Sequence, residues 1–151
     1  NNSKSLETSE KKYNTITLWH VLEHIYDLNN FFEELNHLLT NNGKIFLAVP
    51  NFNSLEKKYF NEDWAAYDLP RHLYHFNHKT LDRLLELKGY KIIKRKRMLL
   101  DTFYISMLSS TENNNIGMIK AVYISIIVVF KVPLKGPLYS SSLFYVCEKN
   151  K

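Results

Sequence analysis

Two clusters in this chain of 151 residues have the side-chain types for chemistry. The first is Trp19-His20-Val21-Leu22-Glu23-His24, two imidazoles and a carboxylate at the end of an apolar run. The second is Asp68-Leu69-Pro70-Arg71-His72-Leu73-Tyr74-His75, with Trp64 and Tyr67 just before it. Imidazole titrates near neutrality, so either cluster could move a proton. Each also has a plain structural reading. Glu23 and His24 could simply cap or pair on a turn, and Asp68 and Arg71 could form a surface ion pair with His72 packed beneath. A metal is not expected. The six histidines show no ligand spacing with the single cysteine, no H-E-x-x-H is present, and His72-x-x-His75 is too little to hold an ion.

The elements that must position these residues follow from periodicity. Residues 13–18 form an apolar, β-branched run that reads as a buried strand. Open α/β sheets build ligand sites at the carboxyl ends of such strands. Asp27 is a candidate N-cap, and Leu28, Phe31, Phe32, Leu35, Leu38 and Leu39 carry the spacing of an amphipathic helix. Asn41-Asn42-Gly43 would end it, with glycine in the left-handed cap. Residues 44–49 are a continuous apolar run, a second strand covered on both faces, closed by Pro50. Strand, helix and strand within residues 13–49 make a βαβ unit with parallel strands.

The connection over residues 51–76 has the length of a lid or binding loop, with a short helix at 54–60. Asn77 should cap a helix over 78–88 that turns Leu81, Leu84, Leu85 and Leu87 inward and stops at Gly89. A strand over 90–98, a short helix within 99–110, a polar loop at 111–115 and an apolar helix at 116–131 follow. A final strand, 142–148, comes after a turn-rich connection that permits an antiparallel arrangement. The polar start, 1–12, reads as a loose tail or a helix remnant.

Composition bounds the rest. The length suits one domain, and 45% hydrophobic with 23% charged residues is ordinary for a globular chain. One cysteine, Cys147, precludes an internal disulfide and fits a reducing, cytoplasmic setting. The net charge of +5 is too modest to argue for nucleic acid, and the basic run 91–97 reads as a solvated strand face. The helix at 116–131 is interrupted by Lys120 and shorter than the ~20 apolar residues of a membrane span, so packing is favoured over lying on a bilayer.

The residues over 13–24 resemble the fourth-strand motif of class I S-adenosylmethionine-dependent methyltransferases. The likeness continues through Leu38-Leu39 and Asn42-Gly43-Lys44 to Val49-Pro50-Asn51, as in the family's leucine-rich helix end, glycine turn and strand ending in Val-Pro-Asn. Trp64 with Pro70-Arg71-His72-Leu73 and Phe76 is similar to the Trp…Pro-Arg-His-Leu…Phe signature of a branch that includes relatives of quinone-biosynthesis methyltransferases. Gly89-Tyr90 resembles the family's Gly-Phe before the sixth strand. The match is good over residues 13–100 and only topological beyond.

This resemblance implies a Rossmann-like three-layer α/β sandwich, mostly parallel with an antiparallel last strand, and S-adenosyl-L-methionine as cofactor. It departs from the family at the cofactor-binding start, where neither the glycine turn nor the ribose-binding carboxylate has a candidate. The only glycines are Gly43, Gly89, Gly117 and Gly136, so no G-x-G turn is present to let backbone approach the cofactor. By family order the chain would hold strands four to seven, the C-terminal half of the domain.

The resemblance places Leu18, Trp19, His20 and Glu23 at the cofactor. It places Asp68, Arg71 and His72 in a loop that closes over the acceptor, with His72 as general base for a hydroxyl acceptor, and Trp64, Tyr67 and His75 around a small-molecule substrate. The competing reading is a non-catalytic remnant or interaction module of the same fold. With strands one to three missing, the 13–18 strand would be an open apolar edge, suited to pairing in a dimer.

Overall fold

The computed structural model describes residues 11–98, 100–110 and 115–150. The expected tail over 1–12 therefore lies mostly outside the described residues, as do positions 111–114 of the polar loop.

The first strand, β1 (Tyr13–Trp19), leads through a 3-10 turn (Leu22–His24) to α1 (Leu28–Leu38). Asp27 caps α1 as its sequence suggests, one carboxylate oxygen accepting from the Asn29 and Asn30 amides at 3.0 and 3.1 Å. Phe32 and Leu35 turn into the core. The chain then runs directly into β2 (Leu39–Pro50).

Asn41-Asn42-Gly43 does not cap the helix. It lies inside β2, where three residues of β1 (Tyr13 to Thr15) face six of β2 (Leu39 to Lys44), so the extra residues bulge from the ladder. Gly43 is there for space: a Cβ would sit 2.8 Å from Leu39 Cδ2 and 2.9 Å from the Thr40 carbonyl.

Beyond β2 the long connection holds α2 (Leu55–Phe60) and two 3-10 turns, Asn61–Asp63 and Ala65–Tyr67. Asn77 caps α3 (His78–Leu87) in a reciprocal box with Thr80, and Gly89 follows in the left-handed region at φ 82°. Leu81 and Leu85 are fully buried, but Leu87 is exposed and does not join the inward stripe. After α3 come β3 (Tyr90–Arg97), α4 (Leu100–Ser109), α5 (Asn115–Lys135) and β4 (Ser142–Lys149).

The sheet order is β1-β2-β4-β3. β1 and β2 are parallel, while β4 runs antiparallel to both its neighbours, so three strands point one way and only the last is reversed. One face of the sheet carries Leu18, Ile45, Leu47, Leu143, Tyr145 and Cys147, covered by α1 and α3. The helices α2, α4 and α5 form a second apolar cluster with Phe52 and Trp64.

β1 is the edge among the described residues, and its burial differs from expectation. Only Leu18 is buried, with Tyr13 and Trp19 about half exposed, because no described strand or helix covers its outer side. The apolar helix, α5, packs Ala121, Ile124, Val128 and Val132 inward and leaves Ile119, Tyr123 and Phe130 exposed. No helix among the described residues is long and apolar enough to cross a membrane.

Candidate functional site

At the carboxyl ends of β1 and β2 the chain leaves a cavity of about 630 Å³. Its polar wall is His20, Asp68, Arg71, His72 and Asp101, and its apolar wall is Ala65, Tyr104, Ile105 and Leu108. Four separate segments therefore converge there: the end of β1, Pro50 at the end of β2, the 65–72 loop and one face of α4.

β1 ends in a row that explains Trp19. Trp19, Ala48 and Phe144 are register partners across three strands. The small Ala48 side chain lets the indole reach the phenyl ring and stack at 5.4 Å, leaving the indole half exposed. Leu18 instead points into the core at 8% exposure. His20 follows with φ 51°, a left-handed turn that swings its ring into the cavity.

Both ring nitrogens of His20 face carboxylates. Nε2 lies 3.2 Å from Asp101 Oδ2, and Nδ1 lies 3.3 Å from Glu23 Oε1. The hydrogen bond to Asp101, then the Glu23 carboxylate, raise its pKa to about 9 against the opposing effect of burial. Burial alone would push Asp101 up, but the bond from His20 prevails and holds that carboxyl below its ordinary value. His20 is thus a cation with no free lone pair.

The loop is shaped by its own backbone. Asp68 sits at φ 39°, the Leu69–Pro70 peptide is cis, and the His72 amide donates to the Asp68 carbonyl at 3.0 Å. Arg71 is mostly exposed and binds Asp68 Oδ1 through Nε and Nη2 at 2.9 and 2.5 Å. His72 is 9% exposed; its Nδ1 donates to the Ala66 carbonyl at 2.9 Å, so Nε2 is the nitrogen left without a backbone partner, 3.7 Å from Asp68 Oδ2. The surface ion pair with a histidine beneath it is therefore present, and the same geometry leaves an imidazole nitrogen available.

The loop is tied to the first cluster by backbone. Leu73 and Tyr74 both donate to the Glu23 carbonyl, at 2.8 and 3.3 Å, and His24 Nδ1 donates to the Arg71 carbonyl at 2.9 Å.

Trp64, Tyr67 and His75 stand behind the cavity wall. They form an aromatic cluster with Phe52, at ring separations of 5.3 to 6.4 Å, and Trp64 is fully buried. The loop presents Ala65 and Ala66 to the cavity instead. His75 Nε2 donates to the Tyr67 carbonyl at 3.0 Å. Asn51, from the Val-Pro-Asn run, is a latch: buried, its amide donates to the Leu138 and Ser140 carbonyls at 2.8 and 2.7 Å, holding the loop's start against the turn before β4.

Sequence reasoning missed the contributions of α4. Asp101, Tyr104, Ile105 and Leu108 share a helical face, and the available signal was one acid in an otherwise apolar stretch. It also missed Glu56 of α2, fully buried and bonded to the Ser141 hydroxyl, which in turn meets Thr102 at 2.6 Å. Burial pushes the Glu56 carboxyl above its ordinary range. Cys147 is buried beside the sheet, which pushes its thiol up to about 12 and makes it an inert core residue. In the basic run, Arg95 is held by Asp82 at 2.7 Å and lies over the Tyr145 ring, while Lys94, Lys96 and Arg97 face solvent.

Over residues 1–95 the sequence matches a family described as a methyltransferase domain. The chain belongs to that family. Among solved structures, it is similar in fold to a SAM-dependent methyltransferase from Archaeoglobus fulgidus, with TM-score 0.52 and 21% identity, covering 97% of this chain and 64% of that one. The cyclopropane synthase MmaA2 from Mycobacterium tuberculosis gives TM-score 0.52 at 12% identity, covering 95% and 58%. A phosphoethanolamine N-methyltransferase from Haemonchus contortus, solved with S-adenosylhomocysteine, gives TM-score 0.50 at 12% identity, covering 92% and 34%. The chain thus spans less than two thirds of the length of each of these methyltransferase-fold proteins. No match was found among curated protein sequences.

Proposed function

We propose that this chain forms the acceptor-side portion of an S-adenosylmethionine-dependent methyltransferase acting on a small molecule. The observation that carries this reading is the convergence of His20, Asp101 and the Asp68–His72 loop around one cavity at the carboxyl ends of parallel strands. The chemistry the cofactor supplies when bound is an activated methyl group. The residues present fit one side of it: the half-exposed Trp19 indole and the bent His20 backbone offer an open edge at the end of β1. Glu23 supports that edge from below through His20 and its own carbonyl.

The residues then divide the work. Tyr104, Ile105 and Leu108 exclude water from an apolar acceptor. Asp68 and Arg71 shape the loop, and the free Nε2 of His72 takes the proton of a hydroxyl acceptor. His20 is unsuited to that role, since carboxylates face both its nitrogens. The test is calorimetric titration of S-adenosylhomocysteine into the full gene product, followed by a methyl-transfer assay on small hydroxylated acceptors. Saturable binding supports the reading; absence of both heat and transfer overturns it.

A second reading rests on the open edge of β1. There the chain serves as a pairing module of methyltransferase fold, joining a second copy strand to strand. Folding and dimerisation without cofactor would favour it.

A further inference from the structure

The sequence holds no metal-ligand spacing, but the fold makes one. Tying the 71–74 backbone to the Glu23 carbonyl brings His72 against the Glu23-His24 pair. One ligand atom from each of Glu23, His24 and His72 then lies within 4.8 Å of the others. We propose that these three side chains form a binding site for a divalent transition-metal ion of the zinc type.

Four observations carry this. First, Glu23 is fully buried and neither carboxylate oxygen makes a hydrogen bond; Oε1 has only the ion-pair contact to His20 at 3.3 Å. His20 serves Oε1 as an ion-pair partner, but Oε2 has none, and a buried carboxylate oxygen left in that state is costly unless a second cation meets it. Second, both histidines spend Nδ1–H on a backbone carbonyl, His24 on Arg71 and His72 on Ala66, each at 2.9 Å. That leaves Nε2 of each ring as the nitrogen without a backbone partner, the arrangement by which outer carbonyls orient metal-bound imidazoles.

Third, the two rings stand edge-on at 61° with centroids 4.7 Å apart. Two imidazoles on one ion with Zn–N bonds of about 2 Å have centroids roughly 5 Å apart. The ligand atoms, all within 4.8 Å of one another, would draw in to the ~3.4 Å spacing of a tetrahedral zinc. Fourth, two nitrogens and one carboxylate oxygen are a zinc-type donor set rather than a magnesium one. The fourth position is left to water or to Asp68 Oδ2, which lies 3.7 Å from His72 Nε2.

The site is assigned on geometry alone and does not rest on the methyl-transfer reading. The two meet at one atom, however. An ion on His72 Nε2 takes the lone pair that base catalysis needs, so zinc binding and that role exclude one another.

The experiment uses the full gene product, stripped with chelator and titrated with zinc chloride in the absence of cofactor and acceptor. Expected are one ion per chain at micromolar or tighter affinity, a raised Tm, and visible ligand-field bands when Co²⁺ replaces Zn²⁺. His24→Ala alters an exposed ring and should keep the fold, checked by circular dichroism. It should weaken binding at least about tenfold, as should Glu23→Gln. Failure to bind zinc at one equivalent, or binding untouched by His24→Ala, overturns the site. Because neither cofactor nor acceptor is present, that failure leaves the methyltransferase reading to its own test.

Discussion

His72 shows how hydrogen bonds orient a side chain for the base role proposed for it. The Ala66 carbonyl holds Nδ1–H and leaves Nε2 without a backbone partner in a residue that lines the cavity. With a hydroxyl acceptor, His72→Gln should lower kcat by about 10² to 10⁴ while leaving cofactor affinity unchanged. Steady-state kinetics with parallel calorimetry would check this; turnover within about threefold of wild type would remove the base role. Glu56 is a different case, a buried acid outside the cavity whose carboxyl is pushed above its ordinary 4.5 by burial. The fold favours its protonated form, so that stabilisation is present at acid pH and is lost as pH rises through the raised value. Wild type should therefore lose more stability between pH 5 and pH 8 than Glu56→Gln, which stays neutral, as read by urea unfolding. Equal pH slopes would show that Glu56 ionises freely.

Elements here are set by local pattern and then adjusted by close contacts. α1 and α3 follow their spacing and caps, Asp27 and Asn77 satisfying the first amides of each helix. β2 departs from its pattern at Asn41-Asn42-Gly43. Asn-Gly reads as a helix stop by its conformational freedom, yet Gly43 serves to let the chain pass close to Leu39 and Thr40. Gly43→Ala should destabilise the fold by about 1 to 3 kcal/mol through that clash, measurable as a lowered urea midpoint. An unchanged midpoint would mean that the bulge relaxes freely.

For the molecule as a whole, the open side of β1 is the dominant feature. Tyr13, Asn14, Thr15 and Thr17 are exposed along a strand that, among the described residues, pairs with β2 on one side only. Such edges pair with other chains unless charged or covered. We propose that a chain presenting this edge self-associates in proportion to its concentration. Replacing Thr15 and Thr17 by Lys should shift it toward monomer in sedimentation velocity without loss of Tm. A wild type that remains monomeric at high concentration would show the edge to be protected.

The sequence by itself determined the βαβ unit, both helix N-caps and the two clusters whose residue types suit chemistry; the reversal of the final strand it only permitted. Each is written in neighbouring residues: the apolar period, an Asp or Asn before a helix, the run of Trp19, His20, Glu23 and His24. What it did not hold were relations between distant residues. The pairing of His20 with Asp101 crosses 81 positions, and the meeting of Glu23 and His24 with His72 depends on a loop held by the Glu23 carbonyl. The exposure of β1, and the withdrawal of Trp64, Tyr67 and His75 behind the cavity, were likewise decided by what packs alongside each residue. Local spacing specifies elements, but burial and long-range contacts, which give a site its protonation states and its metal ligands, exist only once the chain is folded.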